Sequence, residues 1–497
     1  KSRNAAWMRI VDDSREMPMG DWDDITATLP HGYDRLIEMM EENDVNPGYW
    51  LSPFTVSDKS RVYKEHPDWF ARNATGEIFH QGFYGNNCAF LDSSKPEVQE
   101  HLRDLASRIR KKGFRFVHTD FLLRQFRAPG FADPTLTKVE VHRKGLEALR
   151  EGFGDDVYWL GCTALPGPCM GLVDGFRVSG DSFGGFGRPA YAYAQTGMRW
   201  FYHRNVWFND PDSIITRGHW DFETKEYRFE DKGVEFNRGW MSWIALAGTP
   251  MTYGDFFDDL PEHSIDLYRK IFPPVNAAGR PLDLWENNPH HLWGISIPSD
   301  NEPTKLFGAF NYFKEKPVNL SLNLDEISSR INGYEDPSLA PSEYIVWDFW
   351  NERIVPTVEE RMNLSLAPKE GSLFCLREME TRPQLLSTTG HFSQGAREIS
   401  EIEWREMENG VGELVGKVKG NGGDPTTLYF HVPDSFRLKD ARLMGTIVST
   451  EMPEASVLKL EIPALEQPEP FQLRFSGVAE KVSQRQFVDG FPLTSGE

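Results

Sequence analysis

Two acidic residues each follow a short apolar run that predicts a β-strand. Asp120 ends the run that begins at Gly113, and Asp181 closes a second run about sixty residues later. If both strands belong to a β/α barrel, their C-terminal ends lie on the rim where such barrels build active sites. Two carboxylates on different strands can break a glycosidic bond, since one attacks or stabilises the sugar cation while the other transfers the leaving-group proton. Glycoside cleavage is therefore the first hypothesis for this chain.

Other polar residues near these runs have both a functional and a structural interpretation. Either aspartate alone is more often a surface residue or a helix cap, because Asp is common at turns that lead into helices. Arg177, four residues before Asp181, can hold a carboxylate or a sugar hydroxyl, and a structural ion pair is an equal alternative. Asp12 and Asp13 follow the first predicted strand and are natural acceptors for a pair of sugar hydroxyls. Asn209, Asp210 and Asp212 lack the ligand number and glycine spacing of a calcium loop, so we predict no metal site there.

Short apolar runs alternate with amphipathic stretches up to about residue 280, which predicts a β/α barrel of the TIM type. The predicted strands are Trp7–Val11, Pro47–Pro53, Phe114–Thr119, Val157–Cys162, Gly171–Val178, Trp207–Ile215 and Thr249–Tyr253. The predicted helices are Gly32–Asn43, Pro96–Lys112, Lys138–Gly152, Ala190–Arg204, Asp231–Ala247 and Pro261–Lys270. Seven strands are one fewer than a closed barrel needs. We therefore expect a first strand and helix to precede Lys1 in a longer natural chain.

The helical period disappears after Arg280, and short alternating runs take its place. This pattern predicts C-terminal antiparallel β-sandwich domains. We expect a catalytic barrel over residues 1–280, a β-sandwich over 281–385, and a further all-β domain with a polar tail over 386–497.

Composition excludes several classes of partner. The chain has 75 acidic against 54 basic residues, so a nucleic acid would meet net repulsion. No apolar stretch approaches the roughly 20 residues of a membrane span, and the first seven residues do not form a signal peptide. We expect a water-soluble protein with no nucleic-acid or membrane partner, and its compartment, whether cytoplasmic, periplasmic or secreted, stays open. Aromatic residues make up 13% of the chain, which suits stacking on sugar rings.

Motifs of other chemistries are missing from the sequence. There is no Gly-x-Gly-x-x-Gly, no Walker-type loop and no Gly-x-Ser-x-Gly elbow. The four cysteines lack the paired spacing of a structural zinc site and are too few for a disulfide framework, so we expect free thiols. No cofactor is predicted.

An ordered series of motifs across about residues 7–255 resembles the melibiase-type α-galactosidases of glycoside hydrolase family 36, in clan D. The motifs are Val11-Asp-Asp-Ser, Gly20-Asp-Trp, Trp50-Leu-Ser-Pro-Phe-Thr-Val-Ser57, Glu65-His-Pro-Asp-Trp69, Phe116-Val-His-Thr-Asp-Phe121, Gly171-Leu-Val-Asp-Gly-Phe-Arg-Val-Ser-Gly-Asp181 and Trp207-Phe-Asn-Asp-Pro-Asp212. The ordered set is more specific than any one motif.

The resemblance implies a role for each candidate residue. Asp120 matches the nucleophile and Asp181 the acid/base of a double displacement. The residues that match the sugar pocket are Asp12 and Asp13, which would hold the 4- and 6-hydroxyls, with Trp50, Cys162 and Arg177. His118 stands where the family has lysine, and Ser14 replaces a glycine after the paired aspartates. Both changes lie in the sugar subsite, so the sugar can differ from galactose while the mechanism is retained.

The activity that the resemblance implies is a retaining, exo-acting α-glycoside hydrolase that removes terminal α-linked galactose or a related sugar without cofactor or metal. The substrate of such an enzyme would be an oligosaccharide or another glycoside. Whether the chain forms a homo-oligomer stays open. Two alternatives stand beside this hypothesis. One is a transglycosylase of the raffinose-synthase type, and the other is a carbohydrate-binding protein with an inactive site.

Overall fold

The computed structural model divides the chain into two compact units. Unit 1 contains residues 1–231 and 249–255, and unit 2 contains residues 232–248 and 256–497. The structure describes residues 4–8, 19–22, 32–182, 185–216, 219–221, 226–228, 232–255, 257–299, 302–313, 315–333, 343–407 and 411–477. Within these ranges, no helix is both long and apolar enough to cross a membrane.

A parallel β-sheet dominates unit 1. The strands of this unit are β1 (Asn4–Met8), β2 (Val45–Leu51), β3 (Thr55–Ser57), β4 (His80–Phe83), β5 (Asn86–Phe90), β6 (Phe116–Thr119), β7 (Tyr158–Gly161), β8 (Gly175–Arg177), β9 (Phe208–Asp210), β10 (His219–Asp221) and β11 (Glu226–Arg228). Six of them pair in parallel in the order β1-β2-β6-β7-β8-β9. The parallel order follows the chain order, as it does in a β/α barrel. Two antiparallel additions, β3-β5-β4 and β10-β11, complete the unit.

Helices connect successive parallel strands of unit 1. They are α1 (Gly32–Glu42), α2 (Arg61–Glu65), α3 (Pro96–Lys111), α4 (Lys138–Phe153), α5 (Pro166–Cys169) and α6 (Gly187–Met198). A capping box in which Thr137 and Glu140 exchange hydrogen bonds starts α4. Gly154, with φ of 65°, ends it. Helices α3 and α4 pack so closely that a Cβ on Gly152 would meet the carbonyl oxygen of Arg103.

The predicted fold class, a parallel β/α sheet followed by antiparallel sheets, is confirmed. Most predicted helices of unit 1 match within about two residues, while α6 starts earlier and ends earlier than expected. The predicted strand Thr249–Tyr253 differs, because its only described pairing is a single bridge between Ile214 and Tyr253. The antiparallel sheet β3-β5-β4 was not predicted, since its strands are three to five residues long and interrupt the β/α alternation.

Antiparallel sheets make up most of unit 2. Its helices are α7 (Val234–Ala247), α8 (Glu262–Ile271) and α9 (Leu324–Asn332). Its strands are β12 (Arg280–Pro281), β13 (Leu292–Ile297), β14 (Thr304–Phe310), β15 (Val318–Asn323), β16 (Tyr344–Asp348), β17 (Arg353–Val355), β18 (Thr357–Val358), β19 (Arg361–Leu366), β20 (Gly371–Glu378), β21 (Gln384–Thr388), β22 (Ile399–Glu406), β23 (Val411–Val418), β24 (Thr426–His431), β25 (Phe436–Leu443), β26 (Thr446–Ile447), β27 (Glu451–Glu454), β28 (Val457–Ile462) and β29 (Glu469–Gly477).

Two apolar cores lie between pairs of these sheets. The first core joins the sheet β12-β13-β14-β20-β16-β17 to the sheet β15-β19-β18, with α9 alongside. The second joins β21-β24-β28-β27 to β22-β23-β29-β25-β26. Each pair of sheets has the sandwich arrangement that the alternating apolar pattern predicts. The domain boundaries near residues 280 and 385 stay predictions.

A buried histidine in unit 1 makes stability depend on pH. The His142 ring donates from Nδ1 to Oε1 of Gln125 at 2.7 Å, and burial lowers its pKa to about 4. An unfolded chain binds a proton on this histidine below pH 6.5, whereas the folded chain does not until about pH 4. The free energy of unfolding should therefore fall as the pH drops from 6.5 towards 4, by up to about 1.4 kcal/mol per pH unit from this residue.

Urea unfolding of His142→Gln across that pH range tests this expectation. The variant should be less stable at neutral pH but show a shallower slope against pH than the parent chain. His263→Gln, at an exposed position of α8, is the matched control and should keep the parental slope. An unchanged slope in His142→Gln would contradict the argument.

Candidate active site

One face of the parallel sheet carries most of the predicted site residues. Trp50 on β2 pairs in register with His118 on β6, and His118 pairs with Leu160 on β7. Side chains two residues apart on a strand share a face. Asp120 therefore extends from the same face as His118, and Cys162 from the same face as Leu160. Residues that lie far apart in the sequence thus converge at the C-terminal end of the sheet.

Asp120 lies directly after β6 and is held by two hydrogen bonds to the same carboxylate oxygen. Its Oδ1 accepts from the backbone N–H of Phe121 at 2.6 Å and from Oγ1 of Thr163 at 2.7 Å. Phe121 and Thr163 both have positive φ, 55° and 45°. Non-glycine residues adopt this conformation at a cost, and such residues concentrate at functional sites. The backbone after β6 and β7 is thus shaped to fix the Asp120 carboxylate.

His118 and Cys162 flank that carboxylate. Both are almost fully buried, at 3% and 5% exposure. Burial raises the pKa of the Cys162 thiol well above its usual range, and Asp120 adds to this while Arg177 opposes it. One ligand atom each of His118, Asp120 and Cys162 lie within 4.8 Å of one another, so these three residues could hold a metal ion. The charges of Asp120 and Arg177 therefore both act on the Cys162 thiol.

Arg177, at the end of β8, forms ion pairs with three carboxylates. Its Nε lies 2.9 Å from Asp210, its Nη2 2.7 Å from Asp212, and its Nη1 3.3 Å from Asp181. Burial lowers the pKa of Arg177, but Asp210 and Asp212 more than offset this, so the guanidinium stays charged. Burial raises the pKa of Asp212, an effect that Arg177 partly counteracts. The sequence left open whether Arg177 holds a sugar hydroxyl or forms structural ion pairs. Its described contacts are ion pairs with three carboxylates.

Asp181 is the most exposed member of this group. Its side chain is 51% exposed, against 6% for Arg177. Asp212 fixes the neighbouring segment, because its Oδ2 accepts from the backbone N–H of Ser182 at 2.6 Å and from the Ser182 hydroxyl at 3.1 Å. Asp181 is therefore anchored on one side by Arg177 and open to solvent on the other. One strand separates β6 from β8, so the backbones that carry Asp120 and Asp181 are about 10 Å apart.

The remaining predicted residues divide into described and undescribed positions. Trp50 is buried at 4% exposure, with its ring 6.1 Å from that of Phe121 and 5.9 Å from that of Trp22. Asp12 and Asp13 lie outside the described residues.

An aromatic hairpin lies beside the Asp120 segment. Phe83 ends β4 and Tyr84 follows it in the turn to β5, and the Phe83 ring is 4.7 Å from that of Phe121. The guanidinium of Arg124 sits 3.8 Å above the Phe83 ring, which holds the tip in place. Tyr84 is 60% exposed. The hairpin presents an aromatic surface next to the nucleophile candidate.

Sequence reasoning missed two features of this site. Thr163 was not singled out, although it lies just after β7 as Asp120 lies just after β6. Asp210 and Asp212 were noted within a resemblance motif and rejected as a metal site, but they were not predicted to be the buried partners of Arg177.

The N-terminal part of the chain is similar to a known protein family. Residues 5–137 match the melibiase family. That segment contains β2 and β6 with Trp50, His118 and Asp120, whereas β7, β8 and β9 lie beyond it.

Two curated relatives of this chain are named as α-galactosidases. The chain is 25% identical over 355 residues to Probable alpha-galactosidase G of Emericella nidulans, a match that covers 66% of this chain and 43% of the relative. It is 30% identical over 103 residues to Alpha-galactosidase AgaA of Geobacillus stearothermophilus, covering 21% of this chain and 13% of the relative. The matched regions span less than half the length of either relative. Over these matched regions the chain is similar to α-galactosidases.

A solved structure supports the fold. The crystal structure of Abp, a GH27 β-L-arabinopyranosidase from Geobacillus stearothermophilus, has a TM-score of 0.56 to this chain at 14% identity. The similarity covers 76% of this chain and 86% of that one. At this identity the comparison concerns the fold alone. The described fold is therefore similar to that of a GH27 enzyme, and this comparison does not single out family 36.

Proposed function

We propose that this chain is a retaining α-glycoside hydrolase of the α-galactosidase type, with Asp120 as nucleophile and Asp181 as acid/base. The observation that carries the proposal is the placement of two carboxylates behind β6 and β8 on one rim, in a chain whose N-terminal segment matches the melibiase family. The ordered motifs favour family 36 within that group. On this proposal the catalytic barrel spans residues 1–280, followed by the two β-rich regions.

The two carboxylates have environments that suit different roles. Asp120 is aligned by Thr163 and by the Phe121 N–H, both of which bind Oδ1 and leave Oδ2 for the sugar. In the first step Oδ2 attacks the anomeric carbon while the bond to the leaving oxygen breaks, and Asp181 gives its proton to that oxygen. In the second step Asp181 takes a proton from water, which attacks the same carbon and releases Asp120.

The exposure of Asp181 fits this assignment. An acid/base must reach first the leaving group and then a water molecule, and half of the Asp181 side chain is open to solvent. Arg177 acts as a positioning residue, since its contacts tie Asp181 to the buried Asp210 and Asp212. The exposed Tyr84 and the neighbouring Phe83 offer a stacking surface for the leaving sugar.

His118 bears on the choice of sugar. It lies on the same face as Asp120 and beside Trp50, within the proposed sugar pocket. A neutral imidazole has one donor and one acceptor, whereas a lysine ammonium has three donors and no acceptor. We therefore propose that the sugar is galactose or a close relative, and that His118 binds its hydroxyls in a way that a lysine would not. Asp12, Asp13 and Cys162 complete the proposed pocket.

Release of nitrophenol from a panel of aryl glycosides tests the proposed function. The panel contains α-galactoside, β-L-arabinopyranoside, α-N-acetylgalactosaminide, α-glucoside and β-galactoside. We expect turnover of one of the first three, with the first-formed sugar keeping its anomeric configuration when followed by NMR. β-L-arabinopyranoside is α-galactoside without the C5 hydroxymethyl group, so the ratio of these two rates reports on recognition of the 6-hydroxyl.

Hydrolysis of none of these glycosides, or a first product of inverted configuration, would overturn the proposal. His118→Lys restores the residue expected from the family and should raise the preference for α-galactoside over the other sugars. Added acceptor sugar in the same assay separates hydrolysis from transglycosylation, because a transglycosylase would divert most of the product to a new glycoside.

A further inference from the structure

We infer that His118, Asp120 and Cys162 form a binding site for a zinc-type divalent cation that masks the Asp120 carboxylate. One ligand atom from each residue lies within 4.8 Å of the others, at the C-terminal ends of β6 and β7. Imidazole nitrogen, carboxylate oxygen and thiolate sulfur are the three ligand types that zinc uses in proteins. The inhibitory consequence rests on the proposed function, whereas the binding itself does not.

The donor set decides the class of cation. Calcium and magnesium take oxygen ligands almost exclusively, while a sulfur and a nitrogen together favour zinc and its neighbours in the first transition row. Three protein ligands with an open fourth position form the arrangement of an accessible zinc site. Bond lengths of about 2.0–2.3 Å place tetrahedral ligands about 3.3–3.8 Å apart, so side-chain movements of about 1 Å would close the set.

The surroundings favour a preformed site. His118, near the end of β6, and Cys162, directly after β7, are almost fully buried. The Asp120 carboxylate is held in place by hydrogen bonds from the Thr163 hydroxyl and the Phe121 N–H. Both of those hydrogen bonds use Oδ1 of Asp120, so Oδ2 can serve as the ligand. Asp120 is only half-buried, which leaves a route from the rim of the sheet.

The proposed site depends on the histidine at position 118. A lysine there would carry an ammonium without a lone pair and could not bind a metal. When the cation binds, the Cys162 thiol loses its proton to solvent and a sulfur–metal bond replaces the S–H bond. The lone pair that Asp120 would use on the anomeric carbon is then held by the metal. Zinc should therefore inhibit hydrolysis in competition with substrate.

Calorimetric titration of the metal-free chain with zinc chloride tests the site without any substrate. We expect one tight zinc ion per chain and, with cobalt in place of zinc, a near-ultraviolet thiolate-to-metal charge-transfer band. His118→Lys and Cys162→Ala should each weaken binding at least about tenfold, and Cys162→Ala should also remove the band. Cys169→Ala, at another buried thiol of unit 1 on α5, is the matched control and should bind zinc as the parent does.

X-ray absorption at the zinc edge of the parent chain provides a measurement that depends on no variant, and one sulfur among the ligands is expected. Absence of stoichiometric binding, a ligand shell without sulfur, or parental affinity in both site variants would overturn the site. Zinc that binds without slowing glycoside hydrolysis would overturn the masking of Asp120. Zinc that binds as expected to a chain that hydrolyses no glycoside would support the site while removing the proposed function.

Discussion

Asp120→Asn is expected to lower kcat for an activated aryl α-glycoside by about 10⁴-fold or more. An amide oxygen is a far weaker nucleophile than a carboxylate, so the glycosyl-enzyme intermediate would not form at a useful rate. The hydrogen bond from Thr163 can persist in the variant, because an amide oxygen still accepts. The fold should therefore survive while the chemistry is lost. Initial rates on the best aryl glycoside of the panel measure this effect.

Chemical rescue distinguishes a nucleophile from a residue that only shapes the pocket. Asp120→Gly removes the carboxylate and leaves room on the same side of the sugar for a small anion. Added azide should restore turnover by bonding to the anomeric carbon as the aryloxide departs, and the product should be a glycosyl azide of inverted configuration. Asp104→Asn, at an exposed position on α3, is the matched control and should retain parental kcat. Parental turnover in Asp120→Asn would disprove the assigned role.

The strand ends were predictable from the sequence because two independent patterns agree there. An apolar run of strand length predicts β6, and the acid that follows it predicts a rim residue. The same reasoning located β2, which starts two residues earlier than predicted, and β7, β8 and β9, which are each shorter in the structure than predicted. Helices α3 and α4 were predictable because Pro96 and the Thr137 capping box mark their first turns.

Features that depend on which strands become neighbours were not predictable. The bond from Thr163 to Asp120 forms because β6 and β7 pair in parallel and both Phe121 and Thr163 have positive φ. No local pattern specifies that conformation for a phenylalanine or a threonine. The zinc-type ligand set has the same origin, since His118 and Cys162 are separated by a whole helix in the sequence.

The role of Arg177 could not be decided from sequence for a related reason. An arginine before a candidate acid can hold that acid, a sugar hydroxyl or a structural partner, and the choice depends on what the adjacent strand presents. Strand β9 pairs with β8 so that Asp210 lies opposite Arg177. The guanidinium is thereby placed between two buried carboxylates and the exposed Asp181. The guanidinium therefore neutralises the buried carboxylates of Asp210 and Asp212.

Arg177→Met is expected to lower the free energy of unfolding by about 3–5 kcal/mol, because removing one partner leaves the other buried charge without compensation. The side chains of Asp210 and Asp212 are only 5% and 11% exposed, so solvent cannot replace the guanidinium. Arg35→Met is the matched control. Its ion pairs on α1 are more than half exposed, and its loss should cost less than about 1 kcal/mol. Urea unfolding at neutral pH compares the two variants.

A second substitution separates uncompensated charge from lost packing. Adding Asp212→Asn to Arg177→Met removes one of the stranded carboxylates, so the double variant should be more stable than Arg177→Met alone even though it carries one more change. Burial already raises the pKa of Asp212, which means that its ionised form is the state that the arginine must support. If Asp212→Asn instead destabilises the Arg177→Met chain further, then Arg177 contributes through its hydrogen-bond geometry and packing, and the electrostatic account of this centre is wrong.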